Sequence, residues 1–238
     1  TIMNNNTYYY NDNPQSTGSI VDVVSRVMRK VYLKMCLALV VTALTSFFVV
    51  SSPALLNLVF SSRIIFFGLI IAELAVVLVL SGMLHKLSSA TASLLFYGYA
   101  ILNGVVLSSV LVIYTGESVA TTFLITAGVF AAMSIYGYTT KSDLTKFGSF
   151  LFMALIGLII CSLVNLFLQS NTMEWIISLA GVAIFIGLTA WDTQKIKEWA
   201  ALSYGQDTSK LATMGALSLY LDFVNLFLNL LRLFGDRR

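Results

Sequence analysis

Leu211–Phe234 reads LATMGALSLYLDFVNLFLNLLRLF. At 1.5 Å per residue a helix of that length reaches about 36 Å, enough to cross the ~30 Å hydrocarbon core of a bilayer. Within it Ser218, Asp222, Asn225, Asn229 and Arg232 recur at spacings of 4, 3, 4 and 3. At 100° per residue the five fall within an arc of about 80°, one polar stripe on an otherwise apolar helix. Such a helix cannot turn its stripe to lipid, so the stripe must face other helices or a water-filled cavity. This predicts a central helix packed on all sides. A structural seam holding a bundle together is the plainer reading of the same pattern.

The rest of the chain has the composition of a membrane protein. Of 238 residues, 58% are hydrophobic and 11% charged, far from the soluble balance of about 45–50% apolar and about 25% charged. Seven apolar stretches are long enough, or nearly so, to span: 35–50, 64–80, 90–114, 119–138, 147–168, 175–191 and 211–234. None alternates over about ten residues as a barrel strand would, so the fold class is all-α, a polytopic bundle of seven transmembrane helices. Residues 1–18 are polar, rich in Asn and Tyr, and read as a disordered tail with no signal-peptide pattern. Residues 19–34 read as an amphipathic interfacial helix, opened by a capping box at Ser19 and Asp22, with Ile20, Val24, Val27, Met28 and Val31 on one face. The seven-helix domain occupies 35–238.

Lysine and arginine orient this arrangement. With the N-terminus inside, the cytoplasmic segments carry Arg26, Arg29, Lys30, Lys34, Lys86, Lys141, Lys146, Lys195, Lys197 and Lys210, against Arg63, Arg232, Arg237 and Arg238 outside. The positive-inside rule then puts the N-terminus in the cytoplasm. The last three arginines would join the majority if the seventh segment were re-entrant, but its length favours a crossing. Trp175 and Trp191 bracket the sixth span as interfacial anchors. Ala183 with Gly187, and Gly128 with Ala132, are small pairs suited to close packing inside one subunit.

Other chemistry is sparse. Cys36 and Cys161 lie in apolar runs without a second ligand at metal spacing and read as buried packing residues. One histidine, His85, excludes a multi-histidine metal site. A net charge of +3, dispersed along the chain, gives no nucleic-acid surface, and no cofactor motif is present. The ionisable residues inside apolar runs therefore carry the interest. Asp222 stands near the middle of its span, where an aspartate costs about 2.5–3.5 kcal/mol on insertion scales and so requires a partner or a proton. Glu73, in IIAELAVVLVL, is placed similarly; a structural hydrogen bond and a transport role are both open to it. Asp192, in TAWDTQKI, closes the sixth span as an interfacial or a functional residue.

WDTQ at Trp191–Gln194, followed by LYLDFVNLFLNLLRLFG at Leu219–Gly235, resembles the signature of the Bax inhibitor-1 family of membrane proteins. The resemblance runs from about Arg29 to Gly235 and includes the glutamate of the second span. It departs at Trp191, where the family usually has tyrosine. The resemblance implies six helices around a central C-terminal one, and a pH-sensitive calcium leak whose proton sensor is the aspartate pair carried onto Asp192 and Asp222. It also implies a basic latch near the end of the second helix, for which His85 or Lys86 is nearest. Two carboxyl groups within hydrogen-bond reach cannot both ionise cheaply, so such a pair shares a proton and titrates in coupled steps. A helix pair held this way is a pH-biased two-state element. Carboxylates are also hard ligands fit for weak, transient calcium binding, calcium here being the permeant ion and not a cofactor. Asp222 lies about 16 Å into its span whereas Asp192 lies at the edge of its own, so the pair requires the two depths to be reconciled.

Three other classes of function are consistent with a bundle of seven helices. An intramembrane aspartyl protease needs Gly-x-Gly-Asp and Pro-Ala-Leu, but Leu219, Tyr220 and Leu221 precede Asp222, and the prolines are Pro14 and Pro53. A retinal receptor needs a lysine in the last helix, and none is there. A non-conducting regulator acting through membrane protein partners remains the alternative to the channel. The compact chain favours a bacterial plasma membrane, with the endoplasmic reticulum as the other location; membrane lipid and calcium are the expected partners.

Overall fold

The computed structural model describes residues 14–60, 62–83, 87–203 and 208–238. Eight helices follow one another: α1 (Pro14–Ser51), α2 (Pro53–Phe60), α3 (Arg63–Met83), α4 (Ser89–Ile113), α5 (Gly116–Thr139), α6 (Thr145–Leu168), α7 (Asn171–Leu202) and α8 (Ser209–Phe234). Among the described residues there is no strand, only an isolated bridge between Tyr114 and Arg237. Among the described residues six helices are long and apolar enough to cross a membrane: α1 over Ile20–Ser51, and α4 to α8. The second predicted span is α3, 21 residues long, within which Ile71–Leu80 forms a shorter apolar stretch.

Local chemistry sets the helix ends. Ser52 precedes Pro53, whose ring disfavours α geometry at the residue before it, so α1 stops at Ser51 and Pro53 opens α2 at the position a proline tolerates best. Ser88 caps α4 by accepting from the Thr91 amide at 3.0 Å, and Thr115 caps α5 by accepting from Ser118 at 3.3 Å. Gln169, at φ 51° in the left-handed region, ends α6.

The first helix differs from the sequence reading. No proline lies between Pro14 and Ser51, and α1 runs unbroken, across Gly18, through both the proposed interfacial helix and the first span. Ser19 and Asp22 fall inside it and open nothing. Residues 14–18, assigned to the tail, are helical, while residues 1–13 of that tail lie outside the described residues. Val24, Val27, Met28 and Val31 are buried, sharing a core with Ile196, Ala200, Ala212 and Ala216. An amphipathic face looks alike in sequence whether it meets headgroups or protein; here it meets protein.

α8 is the centre. It packs against α1, α4, α5 and α7, and 67% of its apolar window is buried, against 6% for α6. α6 packs on α7 and α3 on α4, so four helices line α8 directly and α3 and α6 form an outer layer; the implied ring of six is not uniform. The outward side chains of α6 include Phe152, Met153, Ile156, Ile160, Leu163 and Phe167, an apolar surface suited to lipid and not to water. Gly187 fits against Leu151 of α6 as a close-packing residue should, whereas nothing approaches Gly128. Cys36 and Cys161 are exposed on the bundle surface, contrary to the expectation that they are buried.

Directions follow from contacts. Thr42 donates to the Ala100 carbonyl at 3.0 Å and Ser46 to that of Gly104 at 2.7 Å, so α1 and α4 run parallel. Between α7 and α8, a Cβ at Gly181 would meet Asn229 at 2.6 Å and one at Gly215 would meet Ile196 at 3.0 Å, so these two run antiparallel. α8 starts where α7 ends and finishes beside the start of α7, where Arg237 pairs with Glu174 at 3.0 Å. It therefore traverses the bundle and does not turn back as a re-entrant segment.

Candidate functional site

The polar stripe of α8 is turned inward. Asp222 and Asn229 are both 4% exposed, while Ser218 and Asn225 are half-buried and Arg232 is exposed in the last turn. The two asparagines bond their own helix: Asn225 Nδ2 donates to the Leu221 carbonyl at 2.8 Å and Asn229 Nδ2 to that of Asn225 at 2.7 Å. Asp222 Oδ2 and Asn229 Oδ1 are buried without a hydrogen-bond partner. Buried acceptors in that state are costly and mark a site with work for a proton, a cation or water. Glycine at 181 is what admits Asn229, whose amide lies where a side chain on α7 would begin.

α7 supplies the second carboxylate. The helix does not stop with the apolar run at Trp191 but continues to Leu202, because Thr193, Gln194, Ile196 and Ala200 give that extension a buried face. Asp192 is thus about 15 Å from the end of α7, and Asp222 about 20 Å from the facing start of α8, at 1.5 Å per residue. The pairings of Gly181 with Asn229 and of Ile196 with Gly215 bring Asp192 level with Ser218, one turn from Asp222. The expected depth mismatch shrinks to about one helical turn, ~6 Å. Asp192 and Asp222 act on each other electrostatically across the interface, and the charge of Lys195 acts on both.

Lys195, which in the sequence only helps to set the orientation, stands one turn beyond Asp192. Its Nζ lies 4.6 Å from the Trp191 ring centroid and 4.7 Å from that of Trp199, a cation held between two indoles at i±4. Trp191 is in turn seated over Gly148 of α6, where any side chain would overlap the indole. Tryptophan at 191 thus carries a lysine that a smaller ring would cover less well. Gln194, last residue of WDTQ, accepts from the Leu144 amide and donates to the Ser142 carbonyl, both at 2.8 Å, fixing the α5–α6 turn to α7.

Glu73 is not part of this pair. On α3, it lies within electrostatic reach of Tyr99 of α4 and Tyr220 of α8, and Tyr220 projects about 200° around α8 from Asp222. Glu73 Oε1 is buried without a partner. Around it, Asn103 donates to the Tyr99 hydroxyl at 3.1 Å, and Thr42 lies 2.6 Å from the Tyr220 hydroxyl. On the same side of α8, Lys34 donates to Ser93 at 2.6 Å and to Thr213 at 2.7 Å, tying α1 to α4 and α8.

At the far end, Arg232 lines a cavity of about 360 Å3 with Glu174, Tyr114 and Arg237. The C-terminus is pinned there: the Thr115 amide donates to the Asp236 carbonyl at 3.0 Å and the Arg238 amide to that of Ile113 at 2.9 Å. His85 and Lys86, the latch candidates, lie outside the described residues. Among the described residues no three His, Cys, Asp or Glu side chains gather as a metal site.

The profile of the family described as "Inhibitor of apoptosis-promoting Bax1" matches residues 24–238. The chain is 50% identical over 214 residues to the inner membrane protein YbhL of Escherichia coli strain K12, covering 89% of this chain and 92% of that one. An uncharacterized protein of Borreliella burgdorferi is 43% identical over 219 residues, 91% of this chain and 94% of that one. An uncharacterized membrane protein of Streptococcus pyogenes serotype M3 is 44% identical over 181 residues, 76% and 79% of the two. With WDTQ and the striped last helix both inside the matched region, the chain belongs to the Bax inhibitor-1 family of membrane proteins.

Proposed function

We propose that this chain is a pH-sensitive calcium leak channel, with Asp192 and Asp222 as its proton-sensing gate. The observation that carries the reading is the placement of these two carboxyl groups within electrostatic reach across α7 and α8, about one turn apart in level, with Asp222 Oδ2 buried and unpartnered. A proton gained or lost by the pair changes the force between α7 and the central helix, and so biases the packing of α8. The carboxylates suit a hard cation bound weakly in passing, and Asn225, Asn229 and Arg232 continue the polar stripe toward the other end. Ser218 stands level with Asp192 on the facing helix.

The topology belonging to this proposal is seven crossings with a cytoplasmic N-terminus. Parallel α1 and α4 require the chain between them to return across the bundle, and α3, at about 31 Å, has the length to do so. Arg26, Arg29, Lys30, Lys141, Lys146, Lys197 and Lys210 then gather at one end, as the positive-inside rule asks of the cytoplasmic side. A bacterial plasma membrane is the location proposed, in keeping with the name of the inner membrane relative.

Calcium flux into liposomes containing the purified chain tests the proposal. The wild type should conduct, with a rate that varies across the physiological pH range, and Asp192→Asn and Asp222→Asn should each remove that variation. Absence of flux at every pH would reject the channel and leave a non-conducting regulator. Flux with the same pH profile in all three proteins would reject the aspartate gate.

A further inference from the structure

α1 and α5 both flank α8 without packing along one another, leaving a groove of about 650 Å3 between them. Phe223 of α8 forms its floor, packed edge-on to Phe123 at 5.3 Å and to Phe130 at 5.4 Å between centroids. Met28, Met35 and Leu39 line the α1 wall. From Ser25 to Leu39 the groove follows α1 for about 21 Å, somewhat more than the ~15 Å of one leaflet's hydrocarbon. Both walls are membrane-crossing helices, so the groove opens on lipid.

The lining is graded along its length. Ser25, Tyr138 and Thr139 stand at one end, and the rest is apolar apart from Tyr32 and Ser134. At the polar end Lys197 Nζ donates to the Tyr138 carbonyl at 2.7 Å and lies 5.1 Å from its ring centroid, with two N–H bonds to spare. Arg29, exposed, follows Ser25 by four residues and precedes Cys36 by seven, so it shares the face of α1 that lines the groove. One turn inward from Tyr138, Ser134 is 5% exposed and its Oγ is buried without a partner, although its residue lines the groove. Cations at the mouth, a lone hydroxyl one turn deeper and an apolar trough beyond follow the order of a phospholipid: phosphate, ester, acyl chain.

We propose that this groove is a binding site for one anionic phospholipid, its phosphate between Arg29 and Lys197, an ester carbonyl accepting from Ser134, and one acyl chain lying along Phe223. The site is independent of the calcium reading, although its floor adjoins Asp222. A zwitterionic lipid carries its own ammonium beside the phosphate and gains less from two protein cations.

Native mass spectrometry of the full chain, extracted in mild detergent from phosphatidylcholine bilayers or from an equimolar mixture with phosphatidylglycerol, gives the first test. One retained phosphatidylglycerol is expected, and Arg29→Gln and Lys197→Gln should each lower its retention by about fivefold, the effect of one basic side chain near an anionic headgroup. Ala131→Trp, which fills the trough, should abolish it. Equal retention of the two lipids, or of phosphatidylglycerol by wild type and Ala131→Trp, would overturn the proposal, as would a second copy of the chain seated in the groove. A test on the unfilled groove uses Cys36, which lines it, in Cys161→Ser protein. Phosphatidylglycerol nanodiscs should slow maleimide alkylation of Cys36 relative to phosphatidylcholine nanodiscs; equal rates would count against the site.

Discussion

The bond between Thr42 and Tyr220 gives a quantitative check on how α8 is held. Thr42 Oγ1 lies 2.9 Å from the Ala38 carbonyl, 3.0 Å from the Ala100 carbonyl and 2.6 Å from the Tyr220 hydroxyl. Carbonyls only accept, so the single threonine proton goes to them and Tyr220 is the donor to Thr42. Tyr220 is 0% exposed. Tyr220→Phe removes one hydrogen bond and leaves Thr42 its carbonyls, which should cost between the average of about 0.6 kcal/mol and the maximum of about 1.7 kcal/mol measured for bonds inside membrane bundles. Thr42→Val strands a buried phenol and should cost more, about 1–3 kcal/mol. Once Thr42 is gone, removing the stranded hydroxyl should cost nothing, so the double variant should be more stable than the summed singles by about 1 kcal/mol. Unfolding of the purified chain in mixed detergent and SDS micelles, followed by circular dichroism, measures all four corners of this cycle. Additivity within about 0.3 kcal/mol would refute the bond as a link between α1 and the central helix.

Two further expectations concern α7. Gln194→Ala should cost about 1–3 kcal/mol, because the buried Leu144 amide loses its acceptor, and hydrogen exchange should rise at 142–145; protection unchanged there would contradict the clamp. Gly148→Ala should cost about 1–3 kcal/mol by pushing the Trp191 indole off α6, with a shifted tryptophan emission; an unshifted spectrum at full stability would contradict the packing.

The last helix was legible because its information is local. Five polar residues at helical spacing specify a face, and the price of exposing that face to lipid specifies a centre. The reach of α7 was not legible, since hydropathy reports where lipid ends while the helix follows protein contacts: Asp192, Lys195 and Lys197 end an apolar run, yet Thr193, Ile196 and Ala200 keep the helix buried to Leu202. That hidden extension accounts for most of the expected depth mismatch between Asp192 and Asp222, leaving about one turn. The surroundings of Glu73 come from Tyr99, Tyr220 and Thr42 on three other helices, and tyrosines in apolar runs look like packing residues until their hydroxyls are placed. The spacing of Asp192 and Lys195, three residues apart on one helix, is a local signal that the sequence does carry. Cys36 and Cys161 show the limit of reading burial from apolar neighbours, because in a membrane protein apolar surface is also the outside.

The central claim, that Asp192 and Asp222 titrate as a pair, is open to pH-difference infrared spectroscopy of the full chain in lipid, read at the carboxyl stretch and assigned with Asp192→Asn and Asp222→Asn. The expected result is that replacing either aspartate moves the titration of the one that remains. A remaining carboxyl that titrates at the same pH whether its partner is Asp or Asn would contradict the account.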